Sequence, residues 1–228
     1  MDTQKPVFEQ LVFGPFAANL ADVLYPRRKS GDIVYSEAAY KVKEPVPQPQ
    51  RSPSYYEHDA VFLLELFGTK KRKGGGETRD VLKKDVVSVE IKTTAGDIYE
   101  SPADKYTGAT SQFYIAAPRN LLHHVLCAYR SHEKRYQIGV VDSDTGRIVV
   151  LPLFQRYDRD RRDRIVSHCY TSVHRIPEYN NPEPYLKRRV TGTGGSKARY
   201  VYFNGLQVNE DYLDIFRELE TEGSARHR

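Results

Sequence analysis

Apolar residues in the first part of the chain fall at Val7, Leu11, Val12, Phe16, Leu20 and Val23. This is a helical spacing, and Gly14-Pro15 in its middle predicts a kink. Residues 44–53 place Pro45, Pro47, Pro49 and Pro53 among glutamines, which reads as an extended linker and a boundary. Ser54, directly after Pro53, opens a second predicted helix over 54–67 that ends at Gly68. A basic loop, Lys70-Lys71-Arg72-Lys73-Gly74-Gly75-Gly76, follows it.

The pattern then changes period. Val86-Val87-Ser88-Val89-Glu90-Ile91-Lys92-Thr93-Thr94 is rich in β-branched residues and alternates between two faces, as a strand does. Thr78 to Lys84 is predicted to pair with it as a hairpin turning near Asp85. Phe113 to Ala117 reads as a short buried strand stopped by Pro118, and 119–131 as a helix carrying Leu121, Leu122, Val125, Leu126 and Tyr129 on one side. Tyr136 to Asp142 and Arg147 to Leu151 are predicted strands around an Asp144-Thr145-Gly146 turn. Residues 155–198 read as irregular and basic, Arg199 to Phe203 as a strand and 209–222 as a closing helix. These elements predict an α/β fold with a mixed central β-sheet flanked by helices. Three segments follow: an N-terminal helical segment with the proline-rich linker (1–52), a core (53–152), and a basic region (153–228) forming one compact unit with the core.

Composition narrows the setting. Hydrophobic residues make up 39% of the 228 and charged residues 29%, enough apolar surface for a core without a membrane span. Two cysteines make no disulfide framework, and no secretory signal is evident, so a cytoplasmic location is expected. The formal charge of +5 is unevenly spread: residues 151–200 hold 11 basic and 5 acidic side chains, a net +6, with tyrosines interleaved. Cations for phosphates and flat amphipathic rings for sugars and bases are what a nucleic-acid surface requires.

The strand ending at Thr94 carries the chemistry. Side chains two apart on a strand share a face, so Glu90 and Lys92 are neighbours, an oxygen ligand beside a cation. Metal-assisted phosphodiester hydrolysis needs carboxylates for a hard cation and a positive group near the attacking water. A second carboxylate is expected from the adjoining strand. With the turn at Asp85, Asp80 lies opposite Glu90, at a cross-strand spacing of about 5 Å between Cβ atoms. Asp85 at the turn and Asp59 on the preceding helix are the rival first ligands. Of Glu57 and Glu65 on that helix, Glu65 is favoured as a supporting metal ligand.

Asp80 followed after nine residues by Glu90-Ile91-Lys92 resembles the acidic and (D/E)-x-K elements of the PD-(D/E)xK nuclease superfamily, with Arg79 where that pattern often has proline. The predicted order over 54–142, helix, three strands, helix, strand, is similar to that superfamily's core, and the chain's length resembles type II restriction endonucleases. The resemblance implies a magnesium-dependent (Mg2+, with Mn2+ able to substitute) endonuclease with Asp80, Glu90 and Lys92 catalytic. It implies a homodimer acting on double-stranded DNA at a short specific sequence, a bacterial or archaeal source and a cognate DNA methyltransferase. DNA-binding candidates are Lys70, Lys71, Arg72 and Lys73 in the basic loop, and Arg156, Arg175, Lys187, Arg188 and Arg189 in the basic region. A structure-specific or repair nuclease and a noncatalytic DNA-binding protein are the competing readings. Other signals carry less. Thr191 to Lys197 lacks phosphate-loop spacing, and His168, Cys169 and His174 lack a fourth zinc ligand.

Overall fold

The computed structural model describes residues 3–29, 31–45, 55–71, 73–75, 77–100, 108–130, 134–153, 157–175, 186–190 and 198–225. Gly14-Pro15 divides the first helical stretch into α1 (Lys5–Phe13) and α2 (Phe16–Leu24), bent by 56°. Three long strands follow: β1 (Ile33–Pro45), β2 (Tyr55–Lys71) and β3 (Glu77–Ile91). After α3 (Ala95–Glu100) come β4 (Gln112–Ala117), α4 (Leu122–Arg130), β5 (Ile138–Asp142) and β6 (Arg147–Leu151). The chain ends with α5 (Arg159–Arg175), β7 (Leu186–Val190), β8 (Tyr200–Phe203), β9 (Leu206–Asn209) and α6 (Leu213–Ala225).

All nine of these strands form one mixed sheet in the order β7-β1-β2-β3-β4-β5-β6-β9-β8, so the fold is α/β with helices on both faces. β3, β4 and β5 are parallel neighbours, and every other pairing is antiparallel. The sheet draws strands from all three segments marked out in the sequence. No single helix among the described residues is long and apolar enough to cross a membrane, and the apolar pair α1–α2 is packed into the core.

Alternation along β3 sorts the core into layers. Val87, Val89 and Ile91 pack with α1 and α2 on one face. On the other face Val86 joins Val61 and Leu63 beneath Ile165 and Cys169 of α5. Phe113 and Val140 lie under α4 and α6, with Leu126 and Phe216. That second face thus carries two helical clusters with a seam between them. Glu90 shares the parity of Val86 and Ser88, which places it on this face, beside Ile115 of β4.

Three expectations are corrected. Residues 55–67, expected as a helix, belong to β2: Ala60 to Leu64 are buried without a break, because helices cover both faces there. A run buried on both sides has no period to distinguish strand from helix. The hairpin expected to turn at Asp85 does not exist, because β3 runs straight through Asp85 from Glu77 to Ile91. The β2–β3 connection lies instead at the glycines after Lys73, with Lys71 opposite Glu77. Residues 155–198 contain α5 and β7 rather than irregular chain only. Among the described side chains of α5 only Ile165 and Cys169 are fully buried, too sparse an apolar pattern to signal a helix.

What fixes α5 is polar. Glu44, 1% exposed, accepts two hydrogen bonds from Arg161, both 2.8 Å, and lies 3.3 Å from His58 Nε2 and 3.5 Å from Arg164. Burial alone would raise this carboxyl, but the bonds from Arg161 and His58 outweigh it and hold its pKa down at about 2. The folded value lies below the ordinary 4.5, so the stabilisation is present above that pH and is lost as pH falls towards 2. Glu44→Gln is expected to cost roughly 3 kcal/mol at pH 7 in denaturant unfolding, since it removes the buried charge that holds Arg161 and Arg164. The difference from the native chain should close on acidification through that window; an equal deficit at both ends of it would contradict the pairing.

Candidate functional site

The register of β2 on β3 decides which carboxylates meet. Ala60 faces Val89, so the next step along both strands sets Asp59 beside Glu90. Asp59 Oδ2 accepts a hydrogen bond of 2.7 Å from the Ile91 backbone N–H, in the middle of the Glu90-Ile91-Lys92 triplet. Lys92 Nζ donates to Glu90 Oε1 at 3.0 Å, and the Lys92 backbone N–H reaches Ala116 O at 2.8 Å, which ties the triplet to β4. Asp59, Glu90 and Lys92 are all buried, at 7%, 8% and 6% exposure. Three ionisable groups therefore sit together at the end of β3, two carboxyls and one ammonium.

Burial raises the Asp59 carboxyl first, and the adjacent Glu90 charge raises it further. The Ile91 N–H and the Lys92 ammonium pull the other way without cancelling these effects, and its pKa is pushed up to about 7. A carboxyl whose ionisation is resisted by burial and by a like neighbour is where a further cation gains most.

A fourth residue enters from α1. Gln4 Nε2 donates to Ile91 O at 3.0 Å and to Asp59 Oδ2 at 3.3 Å, while Thr3 Oγ1 lies 3.1 Å from Thr93 Oγ1. Gln4 occupies the N-cap position of α1, yet its side chain makes no capping bond. The sequence offers no signal for this contact, which joins residues 87 positions apart.

The other expected ligands lie elsewhere. Asp80 is on the same strand as Glu90, ten residues away, roughly 33 Å along β3. It faces Gly68 and accepts a bond of 3.4 Å from Thr78, so the structure does not bring it to Glu90. The strand's continuity through Asp85 is the reason: it carries Asp80 away from Glu90 instead of folding it back. Asp85 is buried opposite Leu64 and pairs with Lys83 at 3.1 Å. Glu65 faces Lys84 and pairs with it at 2.5 Å, six positions along β2 from Asp59. Of the three first-ligand candidates, only Asp59 adjoins the triplet. Among the described residues no group of three or more His, Cys, Asp or Glu side chains is placed to hold a metal. Glu57, two residues from Asp59 along β2, acts on its carboxyl only through charge.

The DNA-binding candidates divide. Lys70 and Lys73 are exposed near the β2–β3 connection. Lys187, Arg188 and Arg189 lie on the edge strand β7, where they face Glu37, Ser36 and Tyr35 of β1. Arg175 ends α5, while Arg72 and Arg156 lie outside the described residues, as do the side chains of Lys71, Arg175 and the β7 residues. Several cations of the basic region are engaged internally: Arg161 and Arg164 with Glu44, and Arg162 with Asp163.

The Asp59 proton has a consequence for stability. The folded pKa of about 7 lies above the ordinary 3.8, so the folded chain keeps this proton longer than the unfolded one. Its contribution therefore worsens as pH rises from about 4 to 7 and is least favourable above 7. Asp59→Asn should raise the melting temperature at pH 8 in chelator and have little effect at pH 4. Magnesium should raise the melting temperature of the native chain at pH 8 and leave that of the variant nearly unchanged. A variant that melts lower than the native chain at pH 8, or gains as much from magnesium, would remove Asp59 from the site.

No family model, curated protein or solved structure matches this chain.

Proposed function

We propose that this protein is a magnesium-dependent endonuclease that hydrolyses phosphodiester bonds of double-stranded DNA, with Asp59 and Glu90 as the metal-holding carboxylates and Lys92 as the catalytic cation. The observation that carries the reading is the meeting of these three buried side chains across the ends of β2 and β3. Asp80, which the family pattern suggested, has no part in it.

The donor set fits magnesium. This ion keeps several waters and is commonly held by one or two carboxylates together with substrate phosphate, so a two-carboxylate site suffices. Bound there, it would polarise the scissile phosphate and lower the pKa of an attacking water. The chain's own residues supply the remainder. Lys92, held against Glu90, is positioned to orient that water and to offset charge that develops on the phosphate. The Ile91 N–H and the Gln4 amide both donate to Asp59 Oδ2, and Gln4 donates to the Ile91 carbonyl as well. Burial strengthens each of these interactions. Cleavage at a short specific sequence by a homodimer, with a cognate methyltransferase, follows from the resemblance to type II restriction endonucleases and forms part of the proposal.

A long duplex incubated with magnesium tests the reading. The native chain should give discrete fragments, and manganese should substitute for magnesium. Glu90→Gln, Lys92→Ala and Asp59→Asn should each lower the rate at least about a hundredfold. Asp80→Asn and Glu65→Gln should cut at close to the native rate. Cutting confined to junctions or flaps would indicate a structure-specific nuclease. Full activity in Lys92→Ala, or in chelator, would refute the mechanism.

A further inference from the structure

The β2–β3 pair is longer than the sheet that supports it. β1 accompanies β2 only as far as the Ile33–Phe67 pair, and β4 accompanies β3 only from Val87 onward. Among the described residues the two strands pair only with each other beyond Phe67, through Gly68–Asp80, Thr69–Arg79, Lys70–Thr78 and Lys71–Glu77. Burial changes abruptly along β3: Glu77 to Lys84 are exposed or half-buried, whereas Val86 to Ile91 are buried. A bare two-stranded ribbon contributes little to folding. Its base is braced, with Arg79 donating to Gly31 O at 2.7 Å, but its tip extends past every other described element of the sheet.

Charge is concentrated there. Residues 67–84 hold seven basic side chains (Lys70, Lys71, Arg72, Lys73, Arg79, Lys83 and Lys84) against Glu77 and Asp80, a net +5. This equals the net charge of the whole chain, so everything outside the ribbon sums to neutrality. Lys83 and Lys84 pair with Asp85 and Glu65 at the base, which leaves the excess towards the tip, where Lys70 and Lys73 are exposed. Two ribbons of this charge repel, which disfavours a second copy as the occupant.

We infer that the β2–β3 ribbon is an arm that docks in the major groove of duplex DNA, about one helical turn from the bond that is cut. A two-stranded β-ribbon fits that groove, and lysines at its tip reach the flanking phosphates. Along β2, Asp59 and Lys70 are eleven residues apart, roughly 36 Å, close to one turn of B-DNA. The choice of duplex DNA as partner rests on the nuclease reading; the presence of a cationic arm does not.

Binding in chelator, without cleavage, tests the arm. The double variant Lys70→Gln, Lys73→Gln changes exposed side chains only and should melt like the native chain. By fluorescence anisotropy on a duplex of about 30 base pairs, its logarithmic salt slope should fall by about two. The native chain should bind a duplex of about 10 base pairs, too short to span site and arm together, more weakly per site than the long one. Equal slopes and affinities for native and variant on the long duplex would overturn the inference, as would a native affinity per site that does not depend on duplex length. So would an unchanged slope accompanied by a change in oligomeric state, which would make the ribbon a self-association element. Failure of the nuclease reading is registered separately, as absence of magnesium-dependent cleavage by the native chain, and does not alter the salt slopes.

Discussion

The site depends on one unfavourable juxtaposition, two carboxylates buried side by side. Asp59 and Glu90 meet because β2 and β3 pair in the register that sets Ala60 on Val89, and both are almost out of contact with water. Burial first and the Glu90 charge second push the pKa of Asp59 up to about 7, and the Lys92 ammonium does not offset them. The surroundings limit this cost without removing it. The Ile91 N–H and the Gln4 amide both donate to Asp59, and Lys92 is anchored at once to Glu90 and, through its backbone, to β4. A sheet clamped by α1 and α2 on one face and by α4, α5 and α6 on the other supplies the rigidity that keeps the charges together.

The sequence makes part of this arrangement legible. The kink at Gly14-Pro15, the strands at 113–117 and 147–151 and the helix after Pro118 all carry local signals, either breakers or a clear period, and the structure has these elements. The adjacency of Glu90 and Lys92 follows from strand alternation alone. The first acidic partner does not, because it depends on long-range register. Asp80 becomes the natural choice only if the chain turns at Asp85, and a single continuous strand moves it about 33 Å from the site. Asp59 is hidden because Ala60 to Leu64 are buried on both faces and so resemble a helix as readily as a strand. Gln4 is beyond any local pattern, since its partners lie 55 and 87 residues away.

The distribution of charge separates structural cations from cations available to a ligand. The region from 151 to 200 has the larger net charge, yet Arg161 and Arg164 are committed to Glu44 and hold α5 on the sheet. On the ribbon of β2 and β3, by contrast, Lys70 and Lys73 are exposed. Both features arise from the same two strands: at one end they bury a carboxylate pair, and at the other they outrun their neighbours.

Proton release on metal binding, measured by calorimetry in buffers of different ionisation enthalpy, tests the central claim most directly. If Asp59 is a ligand, magnesium must displace its proton. Near pH 7 the native chain should then release about half a proton per ion, since the group is half-protonated at its pKa. Release should fade by pH 9 and vanish in Asp59→Asn. A buffer-independent heat of magnesium binding at pH 7, or identical release from the variant, would contradict the assignment of Asp59 and Glu90 as a shared metal site.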